Sequence, residues 1–234
     1  IDLRLNTNVT GFEETETGIS THLEGQPSIE SELVVLSVGV APDSSLARAA
    51  GLELGLRGSI RVDDHMRTND PFIYAVGDAV EVTHAVTGAP ALIALAGPAN
   101  KQGRIAADNI CGIDRRFTGS QGSSVLKLFD RTIAATGLTA KAAATAGIDA
   151  DSVVLSPANH ATYYPGSESL VLKVLFERAG ARIIGAQAIG GAGVDKRIDV
   201  LATAIRAGMG ANDLAELDLA YAPPYSSAKD PVNM

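Results

Sequence analysis

The stretch Thr68-Asn-Asp-Pro-Phe-Ile-Tyr-Ala-Val-Gly-Asp-Ala-Val-Glu81 constrains this chain more than any other. Residues 72–76 are a short apolar, aromatic and β-branched run, the composition of a buried strand. Asn69-Asp70-Pro71 ahead of it is a turn signal, and Gly77-Asp78 closes it. Gly77 has no Cβ, so a ligand or another backbone can come close there. Asp78 is then expected at the carboxyl end of a strand, where α/β sheets bind their ligands. A carboxylate so placed can accept hydrogen bonds from sugar-like hydroxyls. The alternative reading is a strand that ends in a capping Asp.

Around that stretch the chain divides into two patterns. Residues 1–40 read as a β meander: residues 3–9 and 19–23 alternate apolar and polar side chains, with a Glu/Thr-rich turn at residues 13–18. Residues 32–39 are a continuous apolar run, predicted as a buried strand that ends on Gly39. A short helix over residues 44–50, stopped by Gly51, and a strand over residues 58–63 follow. Residues 92–110 read as a helix rich in small residues, whose start can bring backbone N–H groups and the positive end of the helix dipole to a ligand; it is an amphipathic packing helix in either case. Cys111 at its end reads as a small buried hydrophobe.

Beyond residue 117 the pattern becomes antiparallel. Strands are predicted over residues 124–129, 132–137, 152–156, 169–177 and 181–189. Thr139 caps an Ala-rich helix stopped by Gly147, and the helices lie on one side of the sheet, an α+β arrangement. Gly190-Gly-Ala-Gly193 leads into a helix over residues 194–207, with Val194, Ile198, Leu201 and Ile205 on one face. It lacks the phosphate-loop and dinucleotide fingerprints, so it reads as a strand-to-helix turn with Lys196 or Arg197 available for anion contact.

The net charge of −8 argues against nucleic acid as a main partner, because phosphate neutralisation needs a basic surface. A single cysteine excludes an intramolecular disulfide. His22, His65, His84 and His160 have no metal-ligand spacing, so no metal is expected. No apolar run is long enough to span a bilayer and no secretory signal is visible, so a cytoplasmic location is expected by default.

Thr68, Tyr74, Ala75, Gly77 and Asp78 together resemble the second flavin-binding motif of the pyridine nucleotide–disulfide oxidoreductases, Thr-x5-Tyr-Ala-x-Gly-Asp. The resemblance implies FAD and NAD(P)H as cofactors, with Asp78, beside Gly77, holding the ribityl chain. Leu95-Ala96-Gly97 resembles the segment that meets the flavin pyrimidine edge, although the family usually has a polar residue where Gly97 stands. The segment Leu36–Asp43 resembles the return from the NAD domain to the FAD domain, which places Gly39 near the nicotinamide nucleotide; a Gly that simply ends a strand is the competing reading. The implied domains are residues 1–57, the tail of an NAD-binding domain; 58–117, the returning part of a FAD-binding domain; and 118–234, an antiparallel-sheet dimerisation domain that makes a homodimer. The fold class is thus α/β and α+β.

The C-terminal part lacks the His-Pro-Thr motif of the glutathione-reductase branch. Leu219-Ala-Tyr-Ala-Pro-Pro-Tyr-Ser226 stands in its place and resembles the single-cysteine branch: NADH oxidases, NADH peroxidases and coenzyme A-disulfide reductases. Asn159-His-Ala-Thr-Tyr-Tyr-Pro-Gly166 is most similar to the coenzyme A-disulfide reductases. By that resemblance Tyr163 and Tyr221 are the tyrosines that reach the substrate sulfur and the redox Cys across the dimer, with Tyr164 and Tyr225 as alternative contacts. Lys196 and Arg197 would meet coenzyme A phosphates, unless they belong to an ordinary solvated helix face. No dinucleotide fingerprint and no flavin-facing Cys precede these segments, and the chain opens on Ile1 without an initiator Met. The expectation is therefore a C-terminal piece of a longer disulfide reductase acting on coenzyme A disulfide. An oxidase or peroxidase on the same scaffold, or an inert dimerisation module, are the alternatives.

Overall fold

A computed structural model describes residues 2–234, which fall into two compact units divided after Val40. The first unit is an antiparallel meander of β1 (Val9–Thr15), β2 (Gly18–Leu23) and β3 (Gln26–Ser31) in that order. Its first strand starts where the predicted one ended. Leu3 and Leu5 are exposed, because the ladder from β2 reaches only from Thr15 back to Val9. Alternation without a partner strand makes no ladder. The same reason corrects residues 32–39. They form no strand, and Val38 is 89% exposed. An apolar run of this kind is a strand only between neighbours on both sides, and none pairs with it among the described residues.

In the second unit, α1 (Ser45–Ala49) leads to a small sheet of β4 (Ile60–Arg61), β5 (Val80–Thr83) and β6 (Pro90–Ala91), ordered β4-β5-β6. β4 runs parallel to β5 and β6 antiparallel to it. Met66, Val80, Val82, Ala106 and Phe117 are the buried core that joins this sheet to α2 (Ala96–Ile110).

The organising stretch is not the buried strand that its composition predicts. Residues 70–76 form a turn and an extended segment with one bridge, Arg67 to Tyr74, and Phe72 is 91% exposed. The side chain of buried Thr68 decides this. Its hydroxyl lies 3.0 Å from the Ile73 carbonyl and 3.1 Å from that of Asp70, and accepts from the Asp70 N–H, closing the loop on itself. Such local bonding competes with a sheet ladder. Asp78 consequently sits in the turn before β5, not at the carboxyl end of a strand.

α2 starts at Ala96, four residues later than predicted from its apolar pattern. Pro98 explains the delay: in a longer helix its ring would clash with the Ala94 carbonyl, and it has no N–H to donate there. At the other end Cys111 is exposed rather than buried.

The C-terminal region is a five-stranded antiparallel sheet of β7 (Ser124–Leu128), β8 (Arg131–Gly137), β9 (Ala150–Leu155), β10 (Val171–Glu177) and β11 (Ile183–Gly190), in the order β7-β8-β11-β10-β9. Helices cover both faces, not one. α4 (Val194–Ala207) packs Val194, Ile198, Leu201 and Ile205 on Leu172, Val174, Ala186 and Ala188. α3 (Ala140–Thr145), capped by the Thr139 hydroxyl, buries Ala143 against Leu175 and Ile184 on the reverse face. Neighbours such as Val174 and Leu175 therefore serve opposite layers, as pleat alternation requires. α5 (Ala211–Ala215) and an irregular tail complete the chain.

Candidate functional site

Two groups of side chains gather in the second unit. In the first, Gly77 adopts φ +89°, a left-handed conformation that favours glycine. The position its Cβ would occupy is open space. The Gly77 N–H donates to Oε1 of Gln102 at 2.7 Å, and Gln102 is buried on α2. That bond ties the Gly77-Asp78 turn to α2; glutamine in the middle of an Ala-rich helix is the sequence signal that points to it. Asp78 is exposed, and no hydrogen bond engages its carboxylate among the described residues. Leu95 is the N-cap of α2 and gives no side-chain cap, while Ala96 and Gly97 are exposed in the first turn with open space around Gly97. Uncapped N–H groups at such a terminus attract partial negative charge. Gly39, in the first unit, has φ +89° and is exposed, with no Cβ obstruction.

The second group surrounds a cavity of about 580 Å³ lined by Asn159, His160, Lys196, Tyr221, Pro224 and Tyr225, among others. The fold brings Tyr163 and Tyr221, 58 residues apart, to an Oη–Oη distance of 2.9 Å. The hydrogen bond with Tyr163 is the main cause that raises the Tyr221 phenol above its ordinary value of 10.0. Tyr164 points elsewhere, edge-on to His160 at 5.9 Å. Tyr225 is exposed at the cavity wall, and Lys196 Nζ donates to the Ala220 carbonyl at 3.4 Å.

Arg197 departs from the expectation of a solvent-facing cation. It is 1% exposed and pairs with Asp230, 3% exposed, at 2.9 Å. It also donates to the carbonyls of Gly193 and Asn159 and to Ser226 Oγ. It is buried and bonded within the protein, so it does not present its charge at the surface to a substrate phosphate. Burial alone would raise the Asp230 carboxyl. The Ser226 hydroxyl, the Val232 N–H and Arg197 outweigh it and hold Asp230 below its ordinary value of 3.8. Sequence reading missed this network because Asn159, Ser226 and Asp230 lie 29 to 38 residues from Arg197.

The spacing of the histidines predicts no metal, yet the fold draws ligand atoms of Asp63, Asp64 and His65 within 4.8 Å of one another. The ring nitrogens of His65 already face Asp64 at 2.9 Å and Asp114 at 2.8 Å.

Two family models match this chain: "Pyridine nucleotide-disulphide oxidoreductase" over residues 1–103, and the dimerisation domain of the same proteins over residues 123–231. This chain belongs to the pyridine nucleotide-disulphide oxidoreductases. It is 34% identical over 232 residues to a protein named NAD(P)H sulfur oxidoreductase (CoA-dependent) from Pyrococcus furiosus, covering 99% of this chain and 52% of that one. A coenzyme A disulfide reductase from Staphylococcus aureus is 37% identical over 204 residues, 87% of this chain and 46% of the relative. The structure is similar to that of an NAD-dependent persulfide reductase from A. fulgidus, with TM-score 0.92 and 42% identity, covering 97% of this chain and 42% of that one. The chain thus spans about half the length of the curated relatives it matches. The segment of this chain matched to the dimerisation domain contains both tyrosines and the whole cavity.

Proposed function

We propose that this chain serves in a homodimeric, FAD-dependent NAD(P)H:disulfide oxidoreductase whose substrate is the disulfide of coenzyme A. The observation that carries this reading is the Tyr163–Tyr221 pair, hydrogen-bonded at 2.9 Å beside the cavity. Reductive cleavage of a disulfide releases a thiolate, which needs a proton or a hydrogen-bond donor. A phenol supplies both, and a phenol held above its ordinary range stays protonated at neutral pH. Lys196, on the cavity wall, is suited to an anionic group of the substrate. Tyr225 and Tyr164 are secondary contacts, and Arg197 is withdrawn from that role. The names of the relatives from P. furiosus and S. aureus, both referring to CoA, support the same substrate class.

The residues of the first group fit a flavin. Open space over Gly77, the free carboxylate of Asp78 and the uncapped start of α2 at Leu95, Ala96 and Gly97 suit a polyol and an electron-rich ring edge. Asp78 would accept from ribityl hydroxyls, and Gly39 would border the nicotinamide nucleotide. When bound, flavin supplies two-electron transfer from NAD(P)H to the disulfide. In this reading residues 1–57 complete an NAD-binding domain, 58–117 a FAD-binding domain, and 118–234 pair the subunits.

The test is a comparison, on the whole protein, of coenzyme A disulfide reduction with oxygen consumption, using NADH and NADPH. Rapid thiol release is expected. Inertness toward the disulfide with fast oxygen uptake would replace this reading by an NADH oxidase. A colourless protein with neither activity would leave a dimerisation module without flavin.

A further inference from the structure

The two tyrosines come from irregular segments: Tyr163 from the loop after β9 and Tyr221 from the tail after α5. Neither a strand nor a helix fixes them. What both segments share is the guanidinium of Arg197, projecting from the first turn of α4 into the interior. Nη2 donates to the Asn159 carbonyl at 2.8 Å on the Tyr163 side. The same nitrogen meets Ser226 Oγ at 3.1 Å and Asp230 Oδ2 at 2.9 Å on the Tyr221 side. Ser226 Oγ also donates to Asp230, and the Ser226 carbonyl accepts from the Ala161 N–H at 2.9 Å, joining the two segments directly. Gly193 completes the seat: its carbonyl accepts from Nη1 at 3.0 Å, and a Cβ there would collide with the guanidinium.

We infer that Arg197 and Asp230 form a buried clamp that positions the Tyr163–Tyr221 pair. Burying two charges is poorly explained by stability, since apolar replacements of buried ion pairs are often neutral or stabilising. An ion pair with several fixed donors does set geometry, because each bond demands its own direction. The clamp holds Asn159 four residues before Tyr163 and Ser226 five residues after Tyr221, the two positions that decide where the phenols meet. Arg197 touches neither phenol; it acts through the loops. This inference rests on the tyrosine roles proposed above.

The test uses the whole protein with the paired substitution Arg197→Met and Asp230→Leu, which removes both charges at once. Three readouts apply: the Oη–Oη separation in a crystal structure, kcat with coenzyme A disulfide alongside KM for NAD(P)H, and the same kcat after adding Tyr221→Phe. A separation beyond hydrogen-bond reach is expected. So is a kcat about 10- to 100-fold lower, as for a misplaced catalytic group, with KM for NAD(P)H and melting temperature retained. Adding Tyr221→Phe should lower kcat no further than Tyr221→Phe does alone. An unmoved pair with native kcat, or losses that multiply independently, would overturn the clamp. If the paired variant does not fold, Ser226→Ala and Arg197→Lys decide in its place: each should separate the phenols and lower kcat several-fold, and native values in both would refute the inference. Native kcat in Tyr221→Phe alone would instead end the proposed tyrosine chemistry, and the crystallographic separation would still decide the clamp.

Discussion

At the scale of single residues, the proposed chemistry rests on the Tyr163–Tyr221 pair, and Gln102 ties the Gly77-Asp78 turn to α2. The hydrogen bond between the tyrosines raises the Tyr221 phenol above its ordinary value, so Tyr221 keeps its proton to higher pH than a free tyrosine. In Tyr163→Phe that bond is gone, and the alkaline limb of the pH–kcat profile should move down towards the ordinary tyrosine value near 10.0. A limb that does not move would separate this phenol from the rate. Tyr221→Phe should lower kcat about 10²- to 10⁴-fold, the range of a general acid, with little change in KM for NAD(P)H. Gln102→Leu leaves the Gly77 N–H without its acceptor, at about 1–3 kcal/mol. Its denaturation midpoint should fall, and released flavin should appear on gel filtration if the turn holds the cofactor. The motif residues Thr68, Gly77 and Asp78 were legible in the sequence because their spacing is short. Gln102 lies 25 residues from Gly77, so only the folded chain pairs them.

At the scale of elements, local rules worked where an element closes within itself. The Thr139 cap and the bounds of α4 were readable because caps and 3.6-residue periodicity act between near neighbours. Thr139→Ala should lower stability by about 1 kcal/mol in urea unfolding. Gly193→Ala should destabilise further, because Gly193 has φ +83° and its Cβ would push Arg197 from its seat. Strands were less readable. Residues 32–39 and 72–76 have strand composition, but a strand is a relation between segments. The first finds no partner among the described residues, and the second is folded back by Thr68.

At the scale of the whole molecule, the buried Arg197–Asp230 pair links acid stability to the C-terminal fold. The Asp230 carboxyl is held below its unfolded value, so the stabilisation is fully present above about pH 3.8. It is lost as pH falls through the folded value. Acid titration of the paired apolar variant should therefore show a flatter stability curve below that pH than the native protein. An identical slope would mean that other carboxylates dominate. Sedimentation of the whole protein should give a dimer, as the dimerisation domain implies; a monomer at micromolar concentration would remove the shared site from the proposed function.

The sequence by itself determined the family resemblance, the α/β and α+β composition and the Thr68–Asp78 motif, because each rests on residue types at short separations. Tertiary structure alone decided that Phe72 faces solvent, that helices cover both sheet faces, and that Arg197 is an internal clamp rather than a phosphate ligand. A charged side chain on a helix reads as solvated until the fold brings Asp230, Ser226 and the Asn159 carbonyl around it. Burial and long-range hydrogen bonding are properties of the packed chain, not of any segment within it.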